Sequence, residues 1–192
     1  GSVIFVNAFN SWLTEMLPPG VKTVRYADTF GEEDEPDVIY GRFKACDPFL
    51  TMEWALGTDL GLGPWTEIRT RLIGSYNIIN VLAAIAVGLH FDVDACNIVN
   101  AIESYEPSNN RSQLVETPRN QLIVDAYNAN PSSMNVALGN FIMLQSSRRK
   151  MAILGEMREL GPTSADEHRR LLSLIDRYTR QWHQGIDVVW LV

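Results

Sequence analysis

Four short segments of the chain hold side chains whose types and spacing could do chemistry. The first is Gly74-Ser75-Tyr76-Asn77-Ile78-Ile79-Asn80. If it opens a helix, Asn77 and Asn80 share one face. A carboxamide carries both a donor and an acceptor, which matches the amino and ring-nitrogen edge of adenine. The plainer reading is that Asn77 helps to cap the helix. The second segment is Asn109-Asn110-Arg111-Ser112. A planar guanidinium there can fork onto phosphate or ribose oxygens, although a lone loop arginine is more often a solvated charge. The third is Val124-Asp125-Ala126-Tyr127-Asn128-Ala129-Asn130-Pro131. Asp125 can accept hydrogen bonds from ribose hydroxyls, and Asn128 and Asn130 can orient polar substrate groups. Against this stands a polar turn followed by a helix cap. The fourth is Leu154-Gly155-Glu156-Met157-Arg158-Glu159-Leu160-Gly161, with His168 beyond it. Glu156 is a further polar group, Glu159 reads as surface, and His168 taken alone is an ordinary helix histidine.

The value of these segments depends on the elements that carry them. Val3-Ile4-Phe5-Val6 predicts a buried strand, Ser11–Leu17 a short helix stopped by Pro18-Pro19-Gly20, and Val21–Tyr26 a second strand. Gly31–Pro36 is an acidic, solvated loop. Asp37–Leu56 suggests antiparallel strands interrupted at Pro48, and Gly57–Pro64 reads as turns. Glu67–Ile73 alternates, with Ile68 and Leu72 on one face and Arg69 and Arg71 on the other. Asn77–Leu89 is so continuously apolar that it must be a helix buried on most sides. A second helix places Ala95, Ile98, Val99 and Ile102 on one stripe, and residues 106–110 form a candidate linker. Leu122-Ile123-Val124, Met151–Leu154 and Asp187–Val192 are strands. Between them lie a helix capped by Asn130 with Pro131 at its first position, and a long helix begun by a Ser164–Glu167 capping box. Met134, Leu138, Phe141 and Leu144 or Gln145 mark the core face of the first helix, and Leu171, Leu174, Ile175, Tyr178 and Trp182 that of the second. This βαβαβ order predicts a parallel, doubly wound sheet, whose ligands gather at the carboxyl ends of the strands. The segments after Val124 and Leu154 stand at such ends. An exposed apolar edge is expected near Val192.

Composition narrows the function from the other side. The chain has 192 residues, net charge −7, 46% hydrophobic and 20% charged residues. The acidic balance excludes a nucleic-acid binder, which needs a basic face, but leaves nucleotide binding open. No apolar run approaches the ~20 residues that span a bilayer. Cys46 and Cys96 lack metal-like spacing and read as reduced packing residues, which fits a cytoplasmic protein. Gly1-Ser2 reads as a cloning scar, so the chain is expected to be a fragment of a longer protein.

Taken in order, Gly-x-x-Asn-x-x-Asn before an Ala-rich helix, an arginine loop, Asp-x-Tyr-Asn-Ala-Asn-Pro and Leu-Gly-Glu-Met-x-Glu-Leu-Gly resemble the Mur ligase family. The resemblance implies an α/β fold: the later part of the family's central ATP-binding domain over residues 1–108, then the first half of its Rossmann-like C-terminal domain over 109–192. It implies ATP and Mg²⁺ as cofactors, and an acyl phosphate that an amine attacks. The wording Tyr127-Asn128-Ala129-Asn130-Pro131 resembles the branch that joins D-alanyl-D-alanine to UDP-N-acetylmuramoyl-tripeptide, so those are the implied partners of a monomeric enzyme. By the same resemblance Asn77, Asn80, Arg111 and Asp125 are ATP-binding, and Tyr127, Asn128, Asn130 and His168 substrate-binding. Tyr76 stands where the family often has His, Asn110 where Gly is common, Glu156 where Asp is commoner, and Phe9 where an acid is usual. No GxxxxGK[ST] phosphate loop occurs in these residues. Catalytic residues are therefore not expected in this chain, and it should not ligate alone. Two alternatives are a folylpolyglutamate-synthase-like amide ligase and a non-catalytic nucleotide-binding module.

Overall fold

The computed structural model describes residues 1–28, 35–108, 110–182 and 185–192. Most of the acidic loop (31–34), Asn109 and the side chain of Trp182 lie outside that description. The chain forms two compact units, Gly1–Pro107 and Ser108–Val192.

The first unit is a mixed sheet with helices packed on it. Strand β1 (Val3–Asn7) is followed by helix α1 (Ser11–Glu15), β2 (Lys22–Ala27), β3 (Val38–Cys46) and β4 (Phe49–Thr58). A two-residue β5 (Gly61–Leu62) and β6 (Thr66–Ile73) complete the sheet. β1, β2 and β3 run parallel, and β3–β4 and β4–β6 are antiparallel. Pro48, read as an interruption, sits in the turn between β3 and β4. Helix α2 (Asn77–His90) lies on β1–β4, and helix α3 (Ala95–Ser104) against α2 and β6. Leu50, Met52, Ile68, Leu82, Ile85 and Ala86 are wholly buried between sheet and helices. At Gly41, a Cβ would stand 2.8 Å from the Leu82 methyls, so glycine lets α2 seat close to β3. In β6 the alternation holds: Ile68 and Thr70 are buried, and Arg69 and Arg71 are exposed. Cys96 lies exposed on α3 and is not a packing residue, whereas Cys46 is half-buried.

The second unit departs from the expected three-stranded parallel sheet. Gln113–Glu116 forms a strand, β7, that pairs antiparallel with β8 (Gln121–Val124). The tight Thr117–Asn120 turn makes this hairpin the nearest partner for β8. Helix α4 (Pro131–Met143), β9 (Met151–Leu154), helix α5 (Ser164–Trp182) and β10 (Val188–Leu191) follow. β9 and β10 are parallel across α5, as a βαβ crossover requires. The core is centred on Leu138, Ile142, Met157, Leu171 and Ile175. Ile142, one turn beyond Leu138, takes the place assigned from sequence to Leu144 or Gln145. Ser164 is not an N-cap: a 3-10 turn at Gly161–Thr163 runs directly into α5, and Ser164 is itself helical. Ala152 and Leu154 face the helices, while Ile153 (62% exposed) and Trp190 (58%) share the opposite, open face of the β9–β10 pair. No described helix is long and apolar enough to cross a membrane.

Candidate functional site

The residues singled out in the first unit stand at the start of α2. Gly74, with φ of 98°, makes the turn out of β6; a Cβ there would meet the Tyr76 ring at 2.2 Å. Cys46 braces the same turn. Its Sγ accepts from the Gly74 N–H at 3.2 Å and donates to the Pro48 carbonyl at 3.3 Å. Burial pushes this thiol's pKa up, which keeps its proton available for that donation. Asn77 is buried and already committed. Its Nδ2 donates to the Ile73 carbonyl at 2.9 Å, and its Oδ1 accepts from Asn80 Nδ2 at 3.0 Å. It is neither a side-chain cap nor an open amide edge, but a strap from α2 back to β6. Asn80 is exposed. Its Oδ1 has no protein partner among the described residues, so of the two amides it is the one with an acceptor left to offer.

In the second unit the loop before β7 and the segment after β8 meet at the open end of the hairpin. The Ser112 N–H and Oγ each reach an Asp125 carboxylate oxygen at 3.3 Å, and the Ala126 N–H donates to the Asn110 carbonyl at 2.8 Å. Asn110 and Ser112 adopt left-handed backbone, with φ of 57° and 47°. Between them Arg111 lays its guanidinium over the Tyr127 ring, with Cζ 3.9 Å from the centroid. Asp125, Tyr127 and Asn128 are exposed. A carboxylate has about four lone-pair sites, so two long contacts leave Asp125 able to accept hydroxyl donors. Asn130 caps α4: its Oδ1 accepts the Ser133 N–H at 2.9 Å in a reciprocal capping box. Ser112 and β7 were not singled out in the sequence. The apolar pair Leu114-Val115 just before the turn residues Thr117-Pro118 is the signal that could have found the strand; Ser112 carries none.

His168 is placed differently from expectation. Its Nδ1 donates to the Ser164 carbonyl at 2.8 Å, and its Nε2 accepts the Met157 N–H at 3.1 Å. Both nitrogens are spent within the chain, where His168 holds the loop after β9. Met157 is buried beneath it, and Glu156 is exposed and paired loosely with Arg158 at 3.7 Å. Among the described residues no group of three His, Cys, Asp or Glu is arranged to hold a metal ion.

Residues 110–183 match the family described as Mur ligase, glutamate ligase domain. The UDP-N-acetylmuramoyl-tripeptide–D-alanyl-D-alanine ligase of Bacillus subtilis is 31% identical over 117 residues, covering 59% of this chain and 26% of its own length. The fold is similar to MurF from Acinetobacter baumannii, with a TM-score of 0.72 at 21% identity over 98% of this chain and 42% of that one. It is also similar to the Thermotoga maritima MurF ligase in complex with ADP, with a TM-score of 0.70 at 14% identity over 100% of this chain and 50% of that one. The chain thus spans about a quarter of the B. subtilis relative and less than half to half of the two structures.

Proposed function

We propose, given that this chain belongs to the Mur ligase family, that it supplies the adenine, ribose and acceptor side of an ATP-dependent ligase. In this reading the whole enzyme joins D-alanyl-D-alanine to UDP-N-acetylmuramoyl-tripeptide in peptidoglycan precursor synthesis. Residues 1–108 are the later part of its central domain, and 109–192 the first half of its C-terminal domain. The observation that carries the reading is the cluster of Arg111, Ser112, Asp125 and Tyr127 at the open end of the β7–β8 hairpin. It combines a carboxylate with spare acceptor capacity and a guanidinium that pairs with no acid among the described residues, the two groups that ribose hydroxyls and phosphates call for.

Roles follow from the chemistry of each group. Asp125 accepts from ribose hydroxyls, Arg111 donates to phosphate or ribose oxygens, and Asn80, held by Asn77, faces adenine. Tyr127 and Asn128 contribute to the acceptor side, and Asn130 sets the start of α4. When bound, ATP supplies the phosphoryl group that activates a carboxylate. Mg²⁺ is assigned no ligands here, because the described residues offer no donor cluster for it. The Tyr127-Asn128-Ala129-Asn130 wording favours a dipeptide acceptor over the glutamate of a folylpolyglutamate-synthase-like enzyme.

Two measurements on the 192-residue chain test this. Calorimetric titration should show ADP binding that Asp125→Ala weakens about 10-fold or more, as loss of a charged acceptor implies. ATP with D-alanyl-D-alanine should release no phosphate, since these residues contain no phosphate loop. Absence of ADP binding, or an Asp125→Ala chain that binds as well as the parent, would sink the nucleotide reading; turnover would sink the division of labour.

A further inference from the structure

We propose that Tyr127 is the positioning residue of Arg111: its ring seats the guanidinium so that the edge donors stay unspent for an anionic ligand. The inference rests on the nucleotide reading of this rim and reassigns Tyr127 from acceptor contact to arginine seat.

A lone loop arginine is more often a solvated charge, and where such a side chain is held its usual partner is a carboxylate. The chain has 23 acidic residues against 16 basic ones, so carboxylates are plentiful. Yet among the described residues no acid pairs with Arg111, and its side chain donates no hydrogen bond; its one partner is the Tyr127 ring, 3.9 Å from Cζ. The two kinds of partner differ in what they consume. A carboxylate occupies the in-plane N–H fork, so a phosphate would have to displace it. A ring takes the face of the cation and leaves the N–H edge free.

The backbone around the pair keeps both ends of this contact in place. Residues on either side of Arg111 are tied to the Asp125–Ala126 segment, through Ser112 to Asp125 and Asn110 to Ala126. Tyr127 directly follows that segment. Seat and arginine are therefore carried on two strand ends that cannot separate without breaking those bonds. A free arginine gives up rotamer entropy when it is immobilised. A seated one has lost part of that freedom before the ligand arrives.

The test separates the ring from the hydroxyl and the seat from the ligand. Arginine side-chain ¹⁵N relaxation on the ligand-free chain, with the Arg111 Nε–H signal assigned by Arg111→Lys, should show a restrained Nε–H in the parent and in Tyr127→Phe. It should show a mobile one in Tyr127→Leu. ADP titration should give parent-like affinity for Tyr127→Phe and affinity about 3- to 10-fold weaker for Tyr127→Leu. Tyr127→Leu should add nothing in an Arg111→Ala background. Tyr127 is 65% exposed, so its replacement removes no core packing. The proposal is overturned if Arg111 Nε–H is equally mobile in the parent and Tyr127→Leu, if both bind ADP alike, or if the two losses multiply. A parent chain that binds no ADP at all fails the nucleotide reading instead, and the relaxation comparison then decides the seat alone.

Discussion

The imidazole of His168 spends one nitrogen on the Ser164 carbonyl and the other on the Met157 N–H. The second contact matters more, because Met157 is buried and its N–H has little access to water. His168→Leu removes the acceptor and is expected to lower stability by about 1–3 kcal/mol, the cost of leaving such a donor unpaired. Urea unfolding checks it: the midpoint should fall with an unchanged slope. An unmoved midpoint would return His168 to the ordinary helix histidine that its sequence context suggested. At this scale the sequence was readable where a residue's use is local. Asn130 as a cap follows from the proline after it. Asn77, Ser112 and His168 were not readable, because each takes a partner whose position depends on how a strand or loop has already folded.

The outer face of β3, β4 and β6 poses an electrostatic problem and resolves it. Glu53 and Glu67 lie directly opposite one another in the β4–β6 register, a like-charge pair. Lys44 bridges them, with Nζ 3.1 Å from Glu53 and 2.7 Å from Glu67. Hydrogen bonds to Glu67 and then Glu53 hold the Lys44 pKa above its usual value. Glu53 is held low first by Arg42 and then by Lys44, and Glu67 first by Lys44 and then by Arg69. The depressed carboxyls contribute stability in full above the ordinary range near ~4.3, and lose it as pH falls through their folded values. The lysine contributes fully below ~10.4 and loses it as pH rises through its raised value. Lys44→Met should therefore melt lower than the parent at pH 7, and the gap should narrow at pH 3, where the glutamates are protonated. An equal gap at both values, read by circular dichroism melts, would mean that the ladder contributes through packing and not charge. Elements of this sheet were legible because their alternation survives in the chain. The β7–β8 hairpin was not, because β8 alone reads equally well as an inner strand of a parallel sheet. Only the pairing, with Leu122 44% exposed, shows otherwise.

Across the whole molecule, the change in sequence texture around residues 106–110 corresponds to a division into two units with separate cores. One core is built on Leu50, Ile68, Leu82 and Ile85, and the other on Leu138, Ile142, Leu171 and Ile175. Periodicity exposed both cores, since each is lined by helix stripes, but it missed Ile142. The stripe through Leu138 can continue by three or four residues, and only the turn after Met143 decides between them. Ile142 is wholly buried, so it is the sharpest probe of whether the two cores also behave as separate cooperative units. Truncating it to alanine should cost about 2–5 kcal/mol, from lost burial and the cavity left behind. If each unit relies on its own core, that loss falls on one side of Pro107. Native-state hydrogen exchange resolved by peptide mass spectrometry should then show faster exchange in α4, β9 and α5 of Ile142→Ala, with amides of β3, β4 and α2 protected as in the parent. Equal loss of protection in both units would show that they unfold together, and the linker would then be a boundary of composition and not of stability.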